Sequence, residues 1–236
     1  CLEKAWENAS WGAALLVTNK HRGALEGIHS SPYGCVPKTG PDRRPTGDVR
    51  IVCDQMELNC DCPKEDHPPA RQATVQQVAR QVLWTKHTFP LSEVLIAKRD
   101  VARAFHWLWV RSEDLWMFAS DLPGAAWGLD SDLTILNLVL TFGWGGSPGE
   151  YQVMAYAAQK RHRAHHPVAP EWHGSHAFRS FWVVDDAVMA EPRIGVRPQM
   201  AARCCDGSIQ LLFGQHAINA TKMEIEGRWA VLQIVY

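Results

Sequence analysis

Two adjacent aspartates, Asp185 and Asp186, stand between the apolar runs FWVV (181–184) and AVM (187–189). Short apolar runs around a polar pair read as a tight β-hairpin, so both carboxylates are expected at its turn. Carboxylates held side by side repel each other unless a cation neutralises them, and a divalent metal is the simplest remedy. A solvated Asp-Asp turn is the other reading of this tetrapeptide, and its surroundings must decide between the two.

A third aspartate ends another apolar run. Val94, Leu95, Ile96 and Ala97 lead into Lys98, Arg99 and Asp100, the pattern of a buried strand whose last residues emerge at its carboxyl end. Upstream, Thr74 with Gln77 fits a capping box, and Val75, Val78, Ala79, Val82 and Leu83 repeat at helical spacing, which predicts an amphipathic helix over 75–86. Ser147, Pro148 and Glu150 combine an N-cap serine, a proline at the first helical position and a glutamate three residues after the cap. A helix is expected from Pro148 to about His165, with Tyr151, Met154, Ala155 and Ala158 on its apolar face. Further signals predict a helix over 197–213 stopped by Gly214, and a last strand over 230–236. Residues 31–48, with four prolines and three glycines, read as an irregular loop before a strand near Val49, and 60–69 as a second loop.

With 236 residues, 46% of them hydrophobic, the chain can bury the core of one large domain or two small lobes. No apolar run approaches the roughly 20 residues that cross a bilayer, and no secretory leader is recognisable, so an intracellular setting, cytoplasm or nucleus, is expected and no membrane partner. Seven cysteines without regular spacing predict free thiols. The net charge of -1 lacks the basic field of many nucleic-acid binders. Phosphate contact must then come from local patches: Lys38, Arg43, Arg44 and Arg50, or Lys160, Arg161 and Arg163 with His162, His165 and His166. Either patch reads equally as a solvated face.

In this order and spacing the segments resemble reverse transcriptases, most of all those of eukaryotic retrotransposons. The stretch KRDVARAF (98–105) is similar to the first palm motif, FGWGGSP (142–148) to the second, and Val183, Val184, Asp185 and Asp186 to the family's hairpin. Leu212, Phe213 and Gly214 through Asn219, Lys222 and Gly227 resemble the motif that follows, and RIVCD (50–54) with Leu58 and Asn59 the fingers strand. The resemblance implies an α+β fold, the fingers and palm of a right-hand polymerase with an antiparallel palm sheet backed by helices and the thumb absent. Residues 1–90 would be a fingers-like region with an N-terminal extension and 91–236 the palm, with part of the fingers between about 115 and 150.

The same resemblance implies an enzyme, an RNA-directed DNA polymerase (nucleotidyltransferase), and its site residues. Asp100, Asp185 and Asp186 would be catalytic and would bind two Mg2+ ions about 4 Å apart, with Mn2+ as a substitute. Arg50, Phe105, Phe142, Gly143 and Lys222 would bind the nucleotide, Phe105 as a steric gate against a 2′-hydroxyl; a core aromatic is the alternative for that residue. Gly146, Ser147 and Pro148 would lie at the template and primer. Partners would be an RNA or DNA template-primer and deoxynucleoside triphosphates. The start at Cys1 and the stop before a thumb read as a fragment of a longer polyprotein that also carries nuclease or integrase regions.

Three positions depart from the family pattern: Val183 where an aromatic is usual, Phe142 where many relatives carry glutamine, and 230–234 where a Leu-Gly pair is common. A catalytically degenerate retroelement relic with the same fold is therefore the rival reading. A zinc-stabilised binding module built on Cys53, Cys60, Cys62 and His67, with His162, His165 and His166, is a lesser one, since Cys60 and Cys62 lack the two-residue gap of a zinc knuckle.

Overall fold

The computed structural model describes residues 2–20, 27–40, 42–165, 176–225 and 228–231. Among them the elements run α1 (Leu2–Ser10), β1 (Ala14–Thr18), β2 (Tyr33–Thr39), β3 (Pro45–Cys53), α2 (Met56–Asp61), α3 (Val75–Thr88) and β4 (Val94–Asp100). Then come β5 (Ala119–Leu122), β6 (Leu133–Asn137), α4 (Ser147–Ala164), β7 (Ser180–Val183), β8 (Asp186–Pro192), α5 (Arg197–Phe213), α6 (Ala220–Ile225) and β9 (Ala230–Val231). The fold is α+β, and every pairing between these strands is antiparallel. Among the described residues no helix is long and apolar enough to cross a membrane. His166, Gly227 and 232–236, which carry parts of the basic patch, the motif after the hairpin and the last strand, lie outside the described residues.

The chain divides into two compact units, one of residues 1–67 and 105–148, the other of 68–104 and 149–236. In the first, β1, β6 and β5 form one sheet in that order, and β2 and β3 form a separate ribbon. Ala5 of α1 packs with Ala14, Leu122, Leu133 and Ile135 into a core that removes about 25 cal/mol of unfavourable hydration per Å2 buried. In the second, the sheet order is β7, β8, β4, β9. Val82 of α3, Val94 of β4 and Ala190 of β8 form one core cluster, while Tyr151 of α4 stacks on Phe213 of α5 at 5.3 Å.

Several local expectations are corrected. Residues 31–48 are largely strand, because β2 and β3 pair as a hairpin that turns near Gly40. Prolines fit there: Pro45 is the first residue of β3, and Pro37 sits beside a register irregularity in a two-stranded ribbon, where a missing amide costs little. Helix α3 keeps its capping box, yet it buries Gln81, Val82 and Thr85 and leaves Val75 and Leu83 exposed. Ser147 is the first residue of α4, and its hydroxyl donates to Thr141 O at 2.7 Å. Cys53, Cys60, Cys62, Cys204 and Cys205 are free thiols as expected, but Cys35 is disulfide-bonded.

His162 does not belong to a basic patch. It is fully buried, with Nε2 donating to Ala201 O at 3.0 Å and Nδ1 accepting from Ser180 Oγ at 3.1 Å. Both nitrogens are committed in the neutral form, and burial pushes its pKa down to about 4. Lys38 of the other patch is tied to Asp48 at 2.5 Å.

Candidate metal centre

The second unit brings the three aspartates together. Asp100 is the last residue of β4 and pairs across the ladder with Asp186, the first residue of β8. Val184 and Asp185 form the two-residue turn that closes β7 onto β8, since Val183 pairs with Asp186. Val184 takes φ 52°, a left-handed conformation that a β-branched side chain enters only under constraint from its surroundings. Two bonds fasten this corner, Val101 N to Asp185 O at 2.8 Å and Asn219 N to Asp100 O at 3.0 Å. Each aspartate offers one carboxylate oxygen, and the three oxygens lie within 4.8 Å of one another. Among the described residues this is the one group of three or more His, Cys, Asp or Glu side chains so gathered, and Cys53, Cys60, Cys62 and His67 form no such cluster.

The charges are only partly compensated. Lys222 Nζ lies 2.6 Å from Asp100 Oδ2, and Asn219 Nδ2 donates to Oδ1 at 2.9 Å. Lys98 Nζ lies 3.3 Å from both oxygens of Asp186, yet buried Asp186 Oδ1 accepts no hydrogen bond. Burial raises the pKa of Asp185, and the charge of Asp100 adds to it. Burial likewise raises that of Asp186, with Lys98 opposing and Asp185 adding. The hydrogen bond to Asp100 raises the pKa of Lys222. Clustered oxygen donors, two of them costly to ionise in isolation, suit a hard divalent cation such as magnesium.

In the first unit a second group of expected site residues meets. The Arg50 guanidinium on β3 lies 5.5 Å over the Phe142 ring, whose other neighbour is Phe105 at 4.7 Å. Phe105 is buried. Gly143 takes φ 126°, and a Cβ there would meet Cys53 O at 1.9 Å, so only glycine fits the turn. Asn59 spans that turn, accepting from Gly145 N at 2.7 Å and donating to Gly143 O at 2.9 Å. Gly146 and Ser147 are buried and Pro148 partly so.

Sequence reasoning did not find three of these parts. The Lys98 contact with Asp186 was foreshadowed by the period of two along β4, which puts Lys98 and Asp100 on one face. Asn59 and Asn219 stood among the motif residues without a role of their own, and the bridges they make had no local signal, because each partner is remote in sequence. Neither a scan against protein-family models nor a search of curated proteins finds a match to this chain.

Proposed function

We propose that this chain is the fingers and palm of a retroelement reverse transcriptase, an RNA-directed DNA polymerase acting on a template-primer and deoxynucleoside triphosphates. One observation carries the reading: carboxylates from the end of β4 and from the β7–β8 turn, far apart in sequence, converge within 4.8 Å. Phosphoryl transfer asks a protein for positioning and charge neutralisation rather than covalent chemistry. Asp100, Asp185 and Asp186 would hold the magnesium ions, with manganese as a substitute. Magnesium bound there would make a primer 3′-hydroxyl more acidic and neutralise the leaving pyrophosphate. The chain's own work is placement. The β4–β8 ladder sets Asp100 opposite Asp186, the strained turn fixes Asp185 beside them, and Lys222 supplies a cation for triphosphate oxygens. The roles given to Arg50, Phe105, Phe142, Gly143, Gly146, Ser147 and Pro148 rest on the sequence resemblance alone.

The test is extension of a primed RNA template with deoxynucleotides and magnesium, by this chain with a polymerase thumb fused after Tyr236. Extension is expected, and Asp100→Asn, Asp185→Asn and Asp186→Asn should each lower it at least about a hundredfold. Extension by Asp185→Asn at the unsubstituted rate would overturn the assignment. A protein that binds manganese and extends no primer is instead the relic.

A further inference from the structure

The segment after α5 occupies both carboxylate oxygens of Asp100: Asn219 Nδ2 reaches Oδ1 and Lys222 Nζ reaches Oδ2. Backbone bonds sew the same segment to the end of β4, with Ala102 N donating to Ala217 O at 2.7 Å and Asn219 N to Asp100 O. Asn219 also opens α6, because Lys222 N donates to its Oδ1 at 3.2 Å and Met223 N to its carbonyl at 2.9 Å. Lys222 is thus delivered to Asp100 by a residue that itself grips Asp100. The side chain of Asp100 is 4% exposed and that of Lys222 46%, so the lysine is the member of the pair able to retreat into water.

We propose that Asn219 and Lys222 form a latch on Asp100, opened when a divalent cation displaces the Lys222 ammonium from Oδ2. The proposal rests on the reading of the three aspartates as a metal site. A divalent cation and an ammonium at one carboxylate oxygen exclude each other: both draw on the same lone pairs, and their repulsion at about 4 Å is worth more than roughly fivefold in affinity even in water, since that figure holds for two single charges and the ion carries two. Asn219 is a positioning residue in this scheme, tying Asp100 to the first turn of the helix that bears the lysine, so that release of Lys222 removes one of the two side-chain ties on α6 and loosens it. Release of Lys222 leaves its ammonium ready for another anion, so cation loading and readiness for phosphate oxygens become one event.

Manganese binding followed by electron paramagnetic resonance, together with amide exchange at α6, tests the latch on the whole chain. Lys222→Met should bind Mn2+ at least about fivefold more tightly than the unsubstituted protein, and Lys222→Arg close to it. Mn2+ should speed exchange of the Met223 amide in the unsubstituted protein and leave it unchanged in Asp100→Asn. Equal affinity with and without Lys222 overturns the latch while the metal reading stands. Tighter binding by Lys222→Met with no change in exchange marks a mere field effect and also overturns it. Absence of Mn2+ binding in every variant sinks metal site and latch together.

Discussion

Asp185→Asn should stabilise the metal-free protein, because it removes a charge that the fold holds at a disadvantage. The three carboxylate oxygens lie within 4.8 Å of one another, and two unit charges at that spacing repel by about 1 kcal/mol in water and about 3 kcal/mol at an effective dielectric of 20. Lys98 and Lys222 offset part of this, and Asp185 is only partly buried, so the net gain is about 1 kcal/mol. Its pH dependence follows from the raised pKa. Between the ordinary value of 3.8 and the higher folded value, the folded protein binds more protons than the unfolded one, so stability falls as pH rises through that window. The substitution removes this slope; its gain should be full near pH 7 and gone below about pH 4. Urea unfolding at both pH values, without and with millimolar magnesium, measures it. Magnesium should stabilise the unsubstituted protein more than the variant and narrow the gap. A variant less stable near pH 7, or a gain of equal size at both pH values, refutes the electrostatic account.

Three further outcomes are expected. Gly143→Ala should destabilise by about 2 kcal/mol or more, since its Cβ meets Cys53 O and its φ is 126°, whereas Gly207→Ala, inside α5 with nothing within 4 Å, should stabilise by about 0.5–1 kcal/mol in the same urea assay. Arg197→Met leaves Glu191, 2.6 Å from its guanidinium in a pair whose side chains are 5% and 3% exposed, with only Arg179 to offset its charge, and should cost about 3 kcal/mol by denaturant unfolding. Because the pKa of His162 falls from 6.5 to about 4, stability should climb by about 3 kcal/mol as pH rises between those values; His162→Gln should flatten that part of a thermal-melt pH profile.

What the sequence made legible was what local chemistry dictates. Helix α5 runs over 197–213 with Gly214 at its end, the Thr74–Gln77 capping box forms, and β4 ends on Asp100. The convergence of the aspartates was expected from the resemblance of the segments that carry them, since the apolar runs that flank them left a solvated turn equally open. Strands β1, β5 and β6 escaped notice because pairing between distant segments leaves no period that a short window detects. The buried face of α3 was misjudged for a related reason: Gln81 is buried where Arg179 Nη1 donates to its Oε1 at 2.9 Å, a partner remote in the chain. His162 looked basic beside Lys160, Arg161 and Arg163, and only Ser180 and Ala201 reveal it as a neutral strut.

The ladder between β4 and β8 has a consequence for folding. Asp100 faces Asp186, and Arg99 faces Ala187. A slip of one residue would set Arg99 opposite Asp186, an attractive pair in place of a repulsive one, so charge alone favours the wrong register. That slip would also turn Arg99 away from Asp206, its partner at 2.5 Å, and exchange the two buried faces of β4, so that each meets the other's neighbours. Packing therefore has to overrule electrostatics at this one seam. The acidic corner is a point of local frustration that the rest of the sheet holds in check.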